Sequence, residues 1–346
     1  MDHLPEHIRE QLEAQKAQCI FCRILSGEIE SKKVYDDGVL AAVLDINPAV
    51  RGHLLLMPKE HYPILPLIAP DEFDQLFGLL PRFVEALRQS LFGDSTSIFI
   101  ANGAAAGQQS PHFLVHLIPD ERGVERFAFV RQGVDPAAIA SLEGKVAPIL
   151  SLMLEKHIGF TPVQGDALLQ SDSILISRSS VEQVAGHLEI RTATKARIRD
   201  LTSAQSAMLF RAASLASTAI FENLGCEATN IIADTRDELV IHVIPRTGDD
   251  DLDLQWKPMT PAPDPSATAS ALDKVLFPVQ VAAEKGSFDL PDLNRAPDEG
   301  SYVQGASPSP AQVPGPVAVQ PSSVLGAPDR ARIEAAWDRL RNASRP

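Results

Sequence analysis

The chain repeats its own pattern, and that constrains its fold more than any other feature. Gly52-His53-Leu54-Leu55-Leu56 recurs as Gly186-His187-Leu188-Glu189-Ile190, and His116-Leu117-Ile118-Pro119 recurs as His242-Val243-Ile244-Pro245. Between these landmarks an apolar stripe at helical spacing (Phe73, Leu76, Leu79, Leu80, Phe83, Leu87) is answered by another over about 202–223 (Met208, Leu209, Ala212, Leu215, Ile220). One shared tetrapeptide would be chance. Several in the same order, at a nearly constant offset, mark an internal duplication.

Each copy mixes strand and helix signals. Residues 4–17 read as an amphipathic lead-in helix. Val39–Leu44 and His53–Met57 are strand-like apolar runs separated by the turn residues Asp45-Ile46-Asn47-Pro48 and Arg51-Gly52. A helix follows over 71–92, with Asp71 placed to cap it. Strands at Ser97–Ala101 and Phe113–Ile118 flank a small-residue loop, and Asp135–His157 is a connecting helix. Phe127–Val130 and Leu252–Trp256 occupy matching positions as exit strands. The expectation is an α+β chain of two repeats, each a mostly antiparallel sheet with a long helix. The boundaries are 18–120 for the first repeat, 121–166 for the connection, 167–258 for the second repeat and 259–346 for a tail.

The 346 residues suffice for two cores. A net charge of −14 argues against nucleic acid or an anionic membrane as the main partner, because both select basic surfaces. No apolar run approaches the roughly 20 residues of a membrane span. Three cysteines do not make a disulfide scaffold, and the first residues lack the basic-then-apolar pattern of a signal peptide. A cytoplasmic protein is expected. Fourteen of the 27 prolines fall at or after Pro258, so 259–326 is expected to be mostly disordered. Asp329–Asn342 can form a short helix with Ile333, Trp337 and Leu340 on one face.

The chemistry-bearing residues cluster in the first repeat. In His112-Phe113-Leu114-Val115-His116 the alternation of a strand puts two imidazoles and one leucine on one face. Cys19-x-x-Cys22 needs two further ligands to hold zinc, and His61 and His112 are the next candidates; two buried thiols serving as small apolar residues are an equal reading. The loop Asn102–Ser110 combines small residues with amides, which suits phosphate, yet it lacks the lysine and spacing of a P-loop. Asp45 can bind a ribose diol or simply form a turn. His53 and His187 each follow a glycine at a strand start and read as structural.

These residues together resemble the histidine triad (HIT) superfamily, and its Hint-like branch in particular. The resemblance runs over about 18–120, through Cys19-Ile20-Phe21-Cys22, Gly27-Glu28-Ile29, Val34-Tyr35-Asp36-Asp37, Leu44-Asp45-Ile46-Asn47-Pro48, Gly52-His53, Pro58-Lys59-Glu60-His61, Asn102, Gly107-Gln108 and His112-x-x-x-His116. It implies structural zinc on Cys19, Cys22, His61 and His112. It implies a purine nucleotide or nucleotide-like ligand at Asp45, Ile46, Asn102, Gly107, Gln108 and His116. Gln109 and Ser110 depart from the family's usual residues. The larger departure is Leu114, which stands at the family's nucleophile, so the covalent nucleotidyl-histidine route is closed. His116 is left as a phosphate contact or general acid.

The second repeat, over about 167–258, resembles the family more faintly. Ser179 replaces Asp45, Lys195 replaces His61, the loop shortens to Asp234–Asp237, and the triad positions read Glu238, Val240 and His242. Since family members pair through a shared sheet, the resemblance implies an intrachain pseudo-dimer, with a monomer in solution favoured and a dimer as the alternative. Three functions stay open: a nucleotide-binding protein without the covalent step, a phosphohydrolase or nucleotidyl transferase with an altered mechanism, and a zinc-stabilised interaction module.

Overall fold

A computed structural model describes residues 3–90, 93–120, 126–127, 129, 136–165, 167–261 and 263–284. In chain order its elements are α1 (Glu6–Lys16), α2 (Ile20–Leu25), β1 (Lys33–Asp36), β2 (Leu40–Leu44), β3 (Leu54–Pro58), α3 (Pro70–Gly78), α4 (Leu80–Gln89), β4 (Ser95–Asn102) and β5 (Val115–Asp120). Then come α5 (Pro136–Ser141), α6 (Ala147–Ile158), β6 (Leu169–Gln170), β7 (Ile174–Arg178), β8 (Leu188–Thr192), α7 (Ser203–Leu224), β9 (Ala228–Asp234), β10 (Val240–Arg246) and α8 (Pro265–Glu284).

All ten strands form one antiparallel sheet in the order β1-β2-β3-β5-β4-β9-β10-β8-β7-β6. Read inward from either edge, the order is the same: first, second, third, fifth, fourth strand of each half. The halves meet where β4 pairs with β9, and the pairing is centred on Phe99 opposite Ile232, with Ile98 opposite Ala233 and Ile100 opposite Ile231.

Strand alternation divides the sheet's residues between two environments. One face carries Leu40, Ala42, Leu54, Leu56, Ile98, Ile100, Val115 and Leu117 of the first half and Ile176, Leu188, Ile190, Ile231, Ile241 and Val243 of the second. Against it pack α3, α4 and α7 in one continuous core. The other face has two smaller apolar clusters. Val43, Leu55 and Met57 lie under Phe21, Ile24 and Leu25 of α2. Phe99, Ile232 and Ile244 lie at the centre under Phe127, Phe129, Leu252, Leu254 and Trp256.

Several elements differ from the sequence expectation. The helix expected over 71–92 is two helices meeting at Leu79, because Pro81 lacks the N–H that would continue the ladder. Its start is set by Pro70 in the first turn rather than by a cap from Asp71. The strand expected to start at Phe113 starts at Val115. Leu252–Trp256 is extended without strand pairing, and Phe127 and Phe129 likewise lie outside any strand. Part of the stretch expected to be disordered is α8, which buries Leu272, Leu276 and Val279 at helical spacing beside β1 and α4. Residues 285–346, including the helix expected at 329–342, lie outside the described residues. No helix among the described residues is long and apolar enough to cross a membrane.

Candidate functional site

The face of the sheet opposite the long helices carries two neighbouring groups of polar side chains in the first half. The first is a four-donor cluster. Cys19 sits just before α2 and Cys22 within it, His61 follows β3, and His112 precedes β5. Their ligand atoms all lie within 4.8 Å of one another. Cys22 Sγ is 3.3 Å from His61 Nδ1, and His112 Nδ1 is 3.6 Å from both sulfurs. The His112 Nε2–H donates to the Pro58 carbonyl at 2.9 Å, which fixes the tautomer and leaves the Nδ1 lone pair facing the thiols. The Cys19 thiol is pushed far below its ordinary value by its hydrogen bond with Cys22 and by the two imidazoles, while the same bond pushes Cys22 up. Two sulfurs facing two imidazole nitrogens at this spacing are a donor set that fits a divalent metal.

The second group is a histidine relay. Ala49 N–H donates to His53 Nδ1 at 3.2 Å. The proton of neutral His53 is therefore on Nε2, which lies 3.1 Å from His116 Nδ1. His116 in turn must carry its own proton on Nε2. Burial holds His116 down to about 3, so the ring is neutral. His53 is depressed too, by its burial and by the neighbouring His116 and Arg126. Asp45 follows β2, with Oδ1 accepting from Asn47 N–H at 2.8 Å and Oδ2 lying 3.5 Å from His53 Nδ1. Because His53 Nδ1 already accepts from Ala49, it has no proton for Asp45. The carboxylate keeps a free acceptor, and burial raises its pKa. The same commitment of His53 argues against a metal on Asp45, His53 and His116, although their atoms are close enough.

Leu114 lies between the groups. Although 112–114 precede the strand, alternation holds. Phe113 and Val115 enter the helix-side core, while Leu114 joins Val43, Leu55, Met57 and the apolar side chains of α2. The position is part of an apolar layer.

Two of the residues expected at a ligand spend their amides on the protein. Asn102 Oδ1 accepts from Leu65 N–H at 3.0 Å, and its Nδ2 lies 3.5 Å from Ser217 and Thr229. Gln108 Oε1 accepts from Gly103 N–H, and its Nε2 donates to the carbonyls of Pro63 and Ser110. Both side chains are buried and shape the loop from behind. Gly107 is exposed, with φ of +86°, as glycine permits. Ile46 is 84% exposed beside Asp45.

Sequence reasoning missed His53, Gln255 and Trp256. The segment after β10 crosses the first half's relay. Gln255 lies over Gly107, where a Cβ would sit 2.3 Å from its Nε2. The Trp256 ring is centred 4.8 Å from His116, 5.0 Å from His53 and 5.3 Å from Phe99. Met259 N–H donates to the Pro48 carbonyl at 2.7 Å. The second half has a parallel arrangement. Gln183 N–H donates to His187 Nδ1, His187 Nε2 lies 3.0 Å from His242 Nδ1, and Phe129 from the first half's exit segment covers both rings. The recurrence of Gly-His at both strand starts was the available signal for these relays. Around the second relay, Ser179 donates to Glu189, and Arg191 bridges Glu189 and Glu238. No group with metal-ligand geometry forms there among the described residues.

A model of the HIT domain matches residues 26–123. An uncharacterised HIT-like protein of Methanocaldococcus jannaschii is 41% identical over 105 residues, covering 30% of this chain and 81% of that protein. Adenylylsulfatase HINT3 of Arabidopsis thaliana is 38% identical over 101 residues, or 29% of this chain; the chain spans about half, 51%, of that relative's length. Adenosine 5'-monophosphoramidase HNT1 of Candida albicans is 32% identical over 110 residues, covering 31% of this chain and 72% of that protein. Among solved structures, a zinc-bound histidine triad family protein from Mycobacterium smegmatis is 33% identical, covers 35% of this chain and 85% of that one, and has a TM-score of 0.31. The first half of this chain thus carries the sequence of a HIT domain on most of that domain's length, and the chain belongs to the HIT family.

Proposed function

We propose that the first half is a HIT-family binding site for a nucleotide or nucleotide-like ligand, without the covalent step of catalysis. The observation that carries this reading is the placement of Leu114 in the apolar layer under α2 while Asp45, His53 and His116 remain assembled. A thiol, imidazole or carboxylate can attack phosphorus and carry a group; an aliphatic carbon cannot. Asp45 offers a carboxylate oxygen for a ribose hydroxyl, the exposed Ile46 an apolar surface for a base, and His116 an N–H donor. Two relatives named for activities on adenylyl compounds, the adenylylsulfatase and the monophosphoramidase, support a ligand of that class.

The relay also argues against a substitute mechanism through His116. Its Nδ1 accepts from His53 and its Nε2 holds the proton, so the ring has no lone pair with which to activate water. The four-donor cluster is read as structural zinc on Cys19, Cys22, His61 and His112, which would tie α2 to β3 and β5; when bound, the ion supplies folding energy rather than chemistry. The second half is read as a degenerate copy that supplies the other side of an intrachain pseudo-dimer. The mirrored strand order and the β4–β9 pairing centred on Phe99 and Ile232 support this.

The test compares the full chain with Leu114→His. Adenosine, AMP, ADP and ATP are titrated into each by calorimetry, and turnover of an AMP phosphoramidate is followed. At least one of the four ligands is expected to bind the native chain, with no turnover, and turnover is expected to appear in Leu114→His. Absence of all binding sinks the reading, as does native turnover with a nucleotidyl group trapped on the protein.

A further inference from the structure

We infer that the first-half site takes nucleosides with an uncharged 5' end in preference to nucleoside phosphates, because Leu114, Gln255 and Trp256 line it without a charged donor. The inference rests on the ligand reading above and narrows it.

Consider what a phosphate would meet. It is a dianion above neutral pH and is held in proteins by charge-assisted donors. In this site the amides of Asn102 and Gln108 are spent inside the protein. Position 114 presents methyl groups within an apolar layer. The cation whose field reaches His53 is Arg126, and its guanidinium is held 3.0 Å from the buried carboxylate of Asp120. Neutral donors are left: His116 Nε2–H and the backbone N–H groups of Gln109 and Ser110, which meet no acceptor among the described residues.

The segment after β10 reduces the room further. The Gln255 side chain lies directly over Gly107, and the indole of Trp256 lies against His116. Leading into them are the exposed acids Asp249, Asp251 and Asp253, and Lys257, the next cation along, is likewise exposed. Taking a dianion out of water into such surroundings is costly without a paired cation.

The other end of the site shows the opposite balance. The Asp45 Oδ2 has no donor of its own and suits a sugar hydroxyl, a neutral donor. Ile46 and Met259 expose apolar surface on either side of the Pro48 turn, at 84% and 41%. Met259 is anchored there by its bond to the Pro48 carbonyl. A ribose and a flat base fit this chemistry, and a charged phosphate does not.

The experiment titrates adenosine and AMP into the full chain at the same pH above neutrality, and then into Gln255→Ala. Adenosine is expected to bind the native chain about tenfold or more tighter than AMP. Equal binding, or tighter AMP, overturns the inference and leaves the ligand reading standing. Binding of neither overturns the inference, and the ligand reading falls with it only if ADP and ATP also fail to bind. In Gln255→Ala the affinity for AMP is expected to rise severalfold. A fall shows that Gln255 donates to the phosphate, and no change shows that it does not obstruct; either overturns the inference.

Discussion

At the scale of single residues, the fold has withdrawn four imidazoles from most of their contact with water, three of them buried and His116 half-buried. His53 pairs with His116, and His187 pairs with His242. Burial holds His116 and His187 to about 3 and His242 to about 4, and depresses His53 as well. In the unfolded chain each returns to about 6.5. The unfolded state therefore binds more protons below that pH, and stability falls with acid. The contribution is intact above pH 6.5 and is lost as pH falls from there towards the folded values, at about 1.4 kcal/mol per pH unit for each imidazole. Unfolding free energies from urea titrations across this range are expected to drop steeply, and less so in His242→Asn. A profile flat down to pH 4 would contradict the buried relays. Little of this was legible in the sequence: the recurrence of Gly-His was visible, but it read as a strand start. A histidine's role depends on which atoms face its two nitrogens, and those come from Ala49, Gln183 and a strand neighbour.

At the scale of elements, α2 is the informative piece. It is six residues long and none of them is buried, too little to be stable by itself. What holds it are Phe21, Ile24 and Leu25 on the sheet and the ligand cluster at its start. If the cluster holds the proposed zinc, chelation with the chain otherwise intact is expected to raise hydrogen exchange over 19–29 and lower the melting temperature, while β4 and β9 stay protected. Exchange unchanged over 19–29 after metal loss would show that the cluster is not what fastens the helix. The Cys-x-x-Cys pair was visible in the sequence; its partners needed a fold to bring them within reach. Other elements were half legible. The stripe over 71–92 was right as helix, and Pro81 marked its break. Helix α8 was hidden by a proline-rich window, although Leu272, Leu276 and Val279 already had helical spacing. The segment Leu252–Trp256 alternates half-buried apolar and exposed residues as strands do, but pairs with no strand.

At the scale of the molecule, the seam between β4 and β9 gives one continuous ten-stranded sheet from a single chain. Repeated landmarks suggested a duplication, and the mirrored strand order is compatible with it. They did not foretell that each exit segment would cross to the opposite half, Trp256 onto His116 and Phe129 onto His242. With the central strands already paired to each other, no inner edge is left to recruit another copy. Light scattering on the full chain is expected to give a single species of 37.4 kDa across a wide dilution range. A stable species of twice that mass would require a contact elsewhere.

The seam has a further consequence for how such a protein can change. When two identical chains make a two-fold sheet, every mutation is made on both sides at once, and a change tolerated at one site must be tolerated at the other. Here Leu114 and Val240, or Asp45 and Ser179, are encoded separately. One side can drift towards bulk support while the other is tuned, and neither can be lost by dilution of its partner. A tether of this kind turns a symmetric object into one with a front and a back.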